Sequence, residues 1–211
     1  ISGTAAYSGL VNSESFSVTG TPSASFANAN VGTAKSVTVS GYTAPSSNYS
    51  ISQPSGLTAN ITASSLTVTA SAQSKTYGAT APTSGTLNTN FTLSGLQGSD
   101  AVSGATLGYS GSPAGNLSTA NVGSYTITPS ALTLSTGSTT NYSITYNTGT
   151  LTVNTASLTI TGISISNKTY NGNNTATISG TAAYSGLVNS ESFSVIGTPS
   201  ASFANANVGT A

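Results

Sequence analysis

The sequence predicts an all-β protein built from tandem small β-sandwich modules of immunoglobulin-like type, arranged end to end. Three observations carry that expectation. Apolar residues alternate with Ser and Thr in short runs bounded by Gly, Pro and Asn. Residues 178–211 repeat residues 1–34 at a constant offset of 177, with a single difference, Thr19 against Ile196. Charge is almost absent: 3 % of the residues, where a typical domain carries roughly 25 %.

The alternating runs follow one another along the chain. Phe16 and Val18 alternate with Ser15 and Ser17, and Val37 and Val39 with Ser36, Thr38 and Ser40. Leu66, Val68 and Ala70 alternate with Thr67 and Thr69. Tyr125 and Ile127 alternate with Thr126 and Thr128, and Leu132 and Leu134 resume the pattern after Pro129. Tyr142, Ile144 and Tyr146 precede an Asn147–Gly149 turn, with Leu151 and Val153 beyond it, then Leu158 and Ile160. Half-buried strands turn alternate side chains inward, and β-branched Thr favours the extended backbone on the outer face. No run has helical spacing. An apolar fraction of 36 % with zero net charge is also unlike the low-hydrophobicity, high-charge signature of disorder.

The duplication marks a tandem array with a long period, and the Thr19/Ile196 difference marks its copies as separately encoded. Inside the period lies a second repetition. Ser65-Leu66-Thr67-Val68-Thr69 precedes Lys75-Thr76-Tyr77-Gly78, as Ser157-Leu158-Thr159-Ile160-Thr161 precedes Lys168-Thr169-Tyr170-Asn171-Gly172. Ala120-Asn121-Val122-Gly123 precedes Asn141-Tyr142-Ser143-Ile144, as Ala29-Asn30-Val31-Gly32 precedes Asn48-Tyr49-Ser50-Ile51. Two sibling modules therefore share one order of motifs. Residues 63–154 read as one complete module, 1–62 as the C-terminal part of its sibling, and 155–211 as the N-terminal part of the next copy of that sibling. Each module, of roughly 85–92 residues with about seven short strands, suits a small sandwich able to bury its own core. Strand order, immunoglobulin-like or β-grasp-like, is left open. The links at Asn60 to Ser64 and Asn154 to Ala156 are short, so one period should advance on the order of 60–70 Å.

Composition excludes several functions. His, Cys, Met and Trp are absent, and so is Arg. Three scattered Lys cannot neutralise a nucleic-acid backbone, so no nucleic-acid partner is expected. Zinc and iron ligands are missing, and no acids cluster for calcium. One period offers only Glu14 and Asp100 as acids, on different modules, which leaves no carboxylate pair for hydrolysis. The expectation is no enzyme, no catalytic residue, no cofactor and no metal. No apolar stretch is long enough for a transmembrane helix, so no membrane insertion is expected. Without a signal peptide, the sequence is expected to be an internal slice of a longer chain.

The residues bring two families into view. Lys75-Thr76-Tyr77-Gly78, Ser94-Gly95-Leu96 with Asp100 just after, Val122-Gly123-Ser124-Tyr125, Asn141-Tyr142 and Gly149-Thr150-Leu151-Thr152-Val153 make residues 63–154 resemble the MBG family, in its Tyr-Gly type. The sibling resembles the YDG family, with Tyr170-Asn171-Gly172 where the family has Tyr-Asp-Gly. Asn keeps a turn-forming residue that tolerates positive φ, and it removes the Asp as a binding group. The resemblance implies the repetitive stalk of a very long secreted bacterial adhesin. It places the chain outside the cell, at the bacterial surface, with a distal domain projected for adhesion or biofilm formation. The alternative is a filament or matrix fibre built by the repeats themselves, favoured by a neutral surface and lightly guarded strand edges. Partners would be neighbouring repeats of the same chain and other copies of the fibre.

Lys75 and Lys168 occupy equivalent places in the sibling modules. One reading is an intramolecular isopeptide bond from each to an Asn side chain, with Asp100 or Glu191 as the neighbouring acid. The plainer reading lays each Lys over the Tyr77 or Tyr170 ring with its amine in water. Thr-rich runs such as Thr126-Ile127-Thr128 are too short and interrupted for an ice-binding array. Sequons at Asn48, Asn116 and Asn141 are expected by chance in this composition. The ten Tyr read as core or turn packing and not as a carbohydrate platform.

Overall fold

A computed structural model describes residues 1–209; Thr210 and Ala211, the end of the second copy of the duplicated segment, lie outside the described residues. The chain is all-β. Strands β1 (Thr19–Phe26), β2 (Gly32–Thr43) and β3 (Thr58–Ile61) lie in the first 62 residues. The central segment carries β4 (Ser64–Ala70), β5 (Gln73–Thr76), β6 (Ser84–Gly85), β7 (Phe91–Ser94), β8 (Ala101–Tyr109), β9 (Gly123–Thr136), β10 (Tyr142–Asn147) and β11 (Gly149–Asn154). Beyond it come β12 (Thr159–Ile165), β13 (Thr175–Ala176), β14 (Ile178–Ser185) and β15 (Ala201–Ser202). A 3-10 turn at Thr139–Asn141 is the only helical element among the described residues.

The chain divides into two compact units: residues 1–67, 94–101 and 134–145 form one, and 68–93, 102–133 and Tyr146 onward form the other. The first contains the sheet β1-β2-β3, in which β2 pairs antiparallel with both neighbours. The β1/β2 register shifts between Gly20 and Ser23, across Pro22, which has no amide to give the ladder. Thr19, the position that varies between the copies, faces Thr43, and their hydroxyls lie 2.8 Å apart.

The second unit is built on a five-stranded sheet in the order β5-β11-β9-β8-β6. Strand β11 runs parallel to β5 and antiparallel to β9. One face buries Ala70, Leu107, Ala120, Ile127, Leu151 and Val153, with Tyr77, Ala81, Tyr109 and Tyr125 packed around them. The same unit holds the antiparallel pairs β12/β14 and β13/β15. A further three-stranded sheet has the order β10-β4-β7, and Leu66, Val68 and Phe91 within it are fully buried.

Several elements depart from the alternation reading. Phe16 and Val18 precede β1 and belong to no strand; hydrogen bonding to β2, not side-chain pattern, sets where β1 begins. Pro129 does not interrupt its strand. It is fully buried within β9, and Ala131 at φ 47° supplies the local bend that lets the strand continue past a residue without an amide. Leu158 precedes β12, and Ile160 within it is 49 % exposed. Burial is concentrated in residues 63–154: outside them, Val39 is the one buried hydrophobic side chain among the described residues. Among the described residues no helix is long and apolar enough to cross a membrane.

Candidate functional site

The few charged groups, and what holds them, make up the candidate site. Each acid closes the same loop. Glu14 ends Ser8-Gly9-Leu10-Val11-Asn12-Ser13-Glu14, Asp100 ends Ser94-Gly95-Leu96-Gln97-Gly98-Ser99-Asp100, and Glu191 ends Ser185-Gly186-Leu187-Val188-Asn189-Ser190-Glu191. In all three the amide of the acid donates to the carbonyl three residues back, at 3.1, 3.1 and 3.0 Å. Left-handed backbone makes the turn: Asn12 and Ser13 at φ 54° and 57°, Asn189 and Ser190 at 53° and 58°, and Gly98 at 57°. Asn and Gly adopt this region at little cost. The sequence reading noted only the central copy of this loop. The recurring Ser-Gly-Leu-x-x-Ser-acid spacing is the signal that reveals all three.

A tyrosine hydroxyl meets each carboxylate. Tyr142 Oη donates to Asp100 Oδ2 at 2.6 Å and accepts from the Gln97 amide at 3.0 Å. Its sibling Tyr49 donates to Glu14 Oε2 and accepts from the Val11 amide at 3.1 Å. The hydrogen bond to the carboxylate, with burial second, holds the Tyr142 hydroxyl above the ordinary tyrosine range. Tyr49 is raised by its bond to Glu14 in the same way, because ionising either phenol would set two anions face to face. Glu191 takes a different tyrosine: Tyr77 Oη donates to its Oε1 at 2.5 Å.

The lysines anchor loops through carbonyl oxygens. Lys75 is buried in β5, and its Nζ donates to Ala79 O at 2.8 Å and to Leu117 O; burial lowers its pKa. The amine is thus not in water over Tyr77, as the plainer sequence reading had it. Lys168 donates to Asn173 O and Oδ1, both at 2.7 Å, and to Thr175 O at 3.0 Å. Its amine lies 6.0 Å from the Phe203 ring centre, so the ring partner is Phe203 and not Tyr170. Lys35 holds Asn28 O at 3.1 Å, Asn28 Oδ1 at 2.6 Å and Asn30 O. Among the described residues neither Lys75 nor Lys168 meets an acid; Asp100 and Glu191 accept from tyrosines. In the Tyr170-Asn171-Gly172 turn the positive φ falls on Gly172, at 77°, while Asn171 Oδ1 accepts from the Asn173 amide at 3.4 Å.

Two contacts join the central segment to its flanks. After it, Tyr77, Val122, Leu158, Leu187, Val188 and Phe193 line a shallow apolar groove with Glu191 at its side, and Asn189 Nδ2 donates to Ser118 O at 3.0 Å. Gly78 has φ 92°, and a Cβ there would lie 2.7 Å from Val188 Cβ, so only glycine suits both the turn and the approach. Before it, Asn141 receives the Val31 amide on Oδ1 at 2.9 Å and donates to Asn30 Oδ1 at 3.1 Å. Chemically, these groups hold loops and join segments.

Comparison with known families agrees with the motif order. The model described as MBG domain (YGX type) matches residues 66–152. The YDG domain model matches residues 1–56 and 154–211. No curated protein and no solved structure matches the chain.

Proposed function

The chain belongs to the YDG domain family, with an MBG domain of the YGX type between its two YDG segments, and from that premise we propose that it is a stalk segment of a large bacterial surface adhesin. Modules of small immunoglobulin-like sandwich type, bounded near residues 62 and 154, follow one another without free linkers. They carry a distal binding domain away from the cell for adhesion or biofilm formation. The observation that carries this reading is the occupation of the charged side chains. Each carboxylate accepts from a tyrosine and each lysine amine donates to carbonyl oxygens, so the scarce charge is used inside and between modules. A segment of this kind needs no catalytic group, cofactor, metal, nucleic acid or bilayer. Its partners are the neighbouring repeats, and its place is the extracellular surface.

The second reading is self-assembly into a filament or matrix. Ile160, Ile163 and Ile165 of β12 are all close to half exposed, and apolar strand surface invites pairing. Sedimentation velocity over a wide concentration range separates the two. A stalk segment stays monomeric; concentration-dependent fibres would establish the second reading instead.

A further inference from the structure

We propose that every module junction of the array is one recurring four-part contact, in which Tyr170 and the Asn121–Val122 turn dock the next module as Tyr77 and the Asn30–Val31 turn dock theirs. This deepens the stalk reading and rests on it, because it requires modules in tandem. The contact after the central module supplies two parts: Tyr77, from the Lys-Thr-Tyr turn upstream, donates to Glu191, from the acid loop downstream. The contact before the central module supplies the other two. There Asn30 and Val31, from the Ala-Asn-Val-Gly turn upstream, bond in both directions to Asn141, from the Asn-Tyr-Ser-Ile strand downstream.

The four positions are siblings in sequence. Tyr77 corresponds to Tyr170, Asn30-Val31 to Asn121-Val122, Glu191 to Asp100, and Asn141 to Asn48. Each observed contact therefore contains the half that the other lacks. Val122 already lines the groove beside Glu191, which is where the missing half of that junction belongs. Exposure is consistent with a waiting partner. Tyr170 is 62 % exposed and Val122 54 %, whereas Val31 at its junction is 37 % exposed.

The carboxylates have room for a second phenol. Asp100 receives Tyr142 on Oδ2, and an ionised carboxylate offers about four acceptor sites. Glu191 receives Tyr77 on Oε1, and among the described residues the Val188 amide, counterpart of Val11 and Gln97, holds no tyrosine hydroxyl. The slot that Tyr49 fills in its own module is thus left open by Tyr77. In the assembled junction each acid accepts two tyrosines, one from its own module and one from the module before. The occupant of the Tyr170 surface is accordingly a second copy of the Ser94–Asp100 loop and Asn141, belonging to the next repeat.

The test uses a chain continued by one period, residues 1–211 followed again by residues 35–211. Hydrogen exchange is read by mass spectrometry on peptides covering Gln97 to Asp100, with the second period isotope-labelled so that its peptides differ in mass from the first-period ones. Tyr170→Phe in the first period should raise exchange there about tenfold, the effect of losing one charge-assisted hydrogen bond. First-period peptides of the same sequence should stay unchanged. Asn121→Ala should do the same at the second-period counterpart of Asn48. Tyr77→Phe, whose contact is already seen, calibrates the response at the Glu191 loop. If Tyr77→Phe responds and neither Tyr170→Phe nor Asn121→Ala does, the recurring junction is wrong while the stalk reading stands. Fibre formation by the unsubstituted chain would instead remove the stalk reading, whatever the exchange pattern.

Discussion

Tyr142 donates a 2.6 Å hydrogen bond to Asp100 and accepts one of 3.0 Å from the amide of Gln97. One phenol thereby bonds to both ends of a four-residue turn whose own closure is the Asp100 amide on Gln97 O. Thr136 Oγ1 fastens the same loop from a second side, at Ser99 O, 2.9 Å. The loop is held by groups remote in sequence, although its turn is encoded locally.

That phenol makes stability depend on alkaline pH. Its pKa is raised in the folded chain from the ordinary 10.0, first by the bond to Asp100 and then by burial. The stabilisation is therefore complete below pH 10 and lost as pH rises through the folded value. Thermal unfolding followed across that range should show a falling midpoint. In Tyr142→Phe the midpoint should start lower at neutral pH and fall less with alkali.

Lys75 gives the opposite slope. Burial lowers its folded pKa below 10.5, so between the two values the unfolded chain binds the additional proton and stability rises with pH. Lys75→Met should abolish that rise and cost about 1.5–3 kcal/mol at neutral pH, through the lost bonds to Ala79 O and Leu117 O. Urea unfolding measures both. Because the amines of Lys75 and Lys168 rest on carbonyl and amide oxygens away from any acid, intact mass should show no loss of ammonia.

Gly78→Ala tests the approach of Val188. The φ of 92° alone should cost about 1–2 kcal/mol, and the new methyl must displace the Leu187–Glu191 loop. Chemical-shift changes in residues 186–191, with the Tyr77–Glu191 contact weakened, are the expected result in an NMR spectrum.

Leu151→Ala and Ile160→Ala separate pattern from burial. Both residues occupy apolar positions of an alternating run, but Leu151 is fully buried and Ile160 is 49 % exposed. The first change should cost about 2–5 kcal/mol, the second no more than about 0.5 kcal/mol, read from denaturant midpoints.

The alternating runs at Leu66–Ala70 and Leu151–Val153 foretold both strand and burial, because the pattern is local and the central segment closes its own core. Strand β8 escaped notice, since its buried Ala105 and Leu107 sit among Gly104 and Gly108 and break the contrast on which alternation depends. The six charged residues stood out by scarcity, yet their partners were illegible. Tyr142 lies 42 residues from Asp100, and Tyr77 lies 114 from Glu191.

The duplicated segment divides what sequence determines from what tertiary structure decides. Its turns are the same in both copies: Asn30 N on Asn28 Oδ1 at 3.1 Å matches Asn207 N on Asn205 Oδ1 at 2.9 Å, and the Glu14 and Glu191 loops share their left-handed residues. Its strands depend on a partner segment. Ile178–Ser185 is β14, paired with β12; Ile1–Ser8, of the same sequence, is in no strand, and the counterpart of β12 at the 177-residue offset falls before residue 1. Thr19–Phe26 forms β1 along β2, and of Ile196–Phe203 only Ala201–Ser202 is paired, the counterpart of residues 37–43 of β2 falling past the described residues. A turn satisfies its hydrogen bonds within a few residues, so the sequence suffices to make it. A strand must find its donors and acceptors on another stretch of chain, and only the fold says which stretch is there.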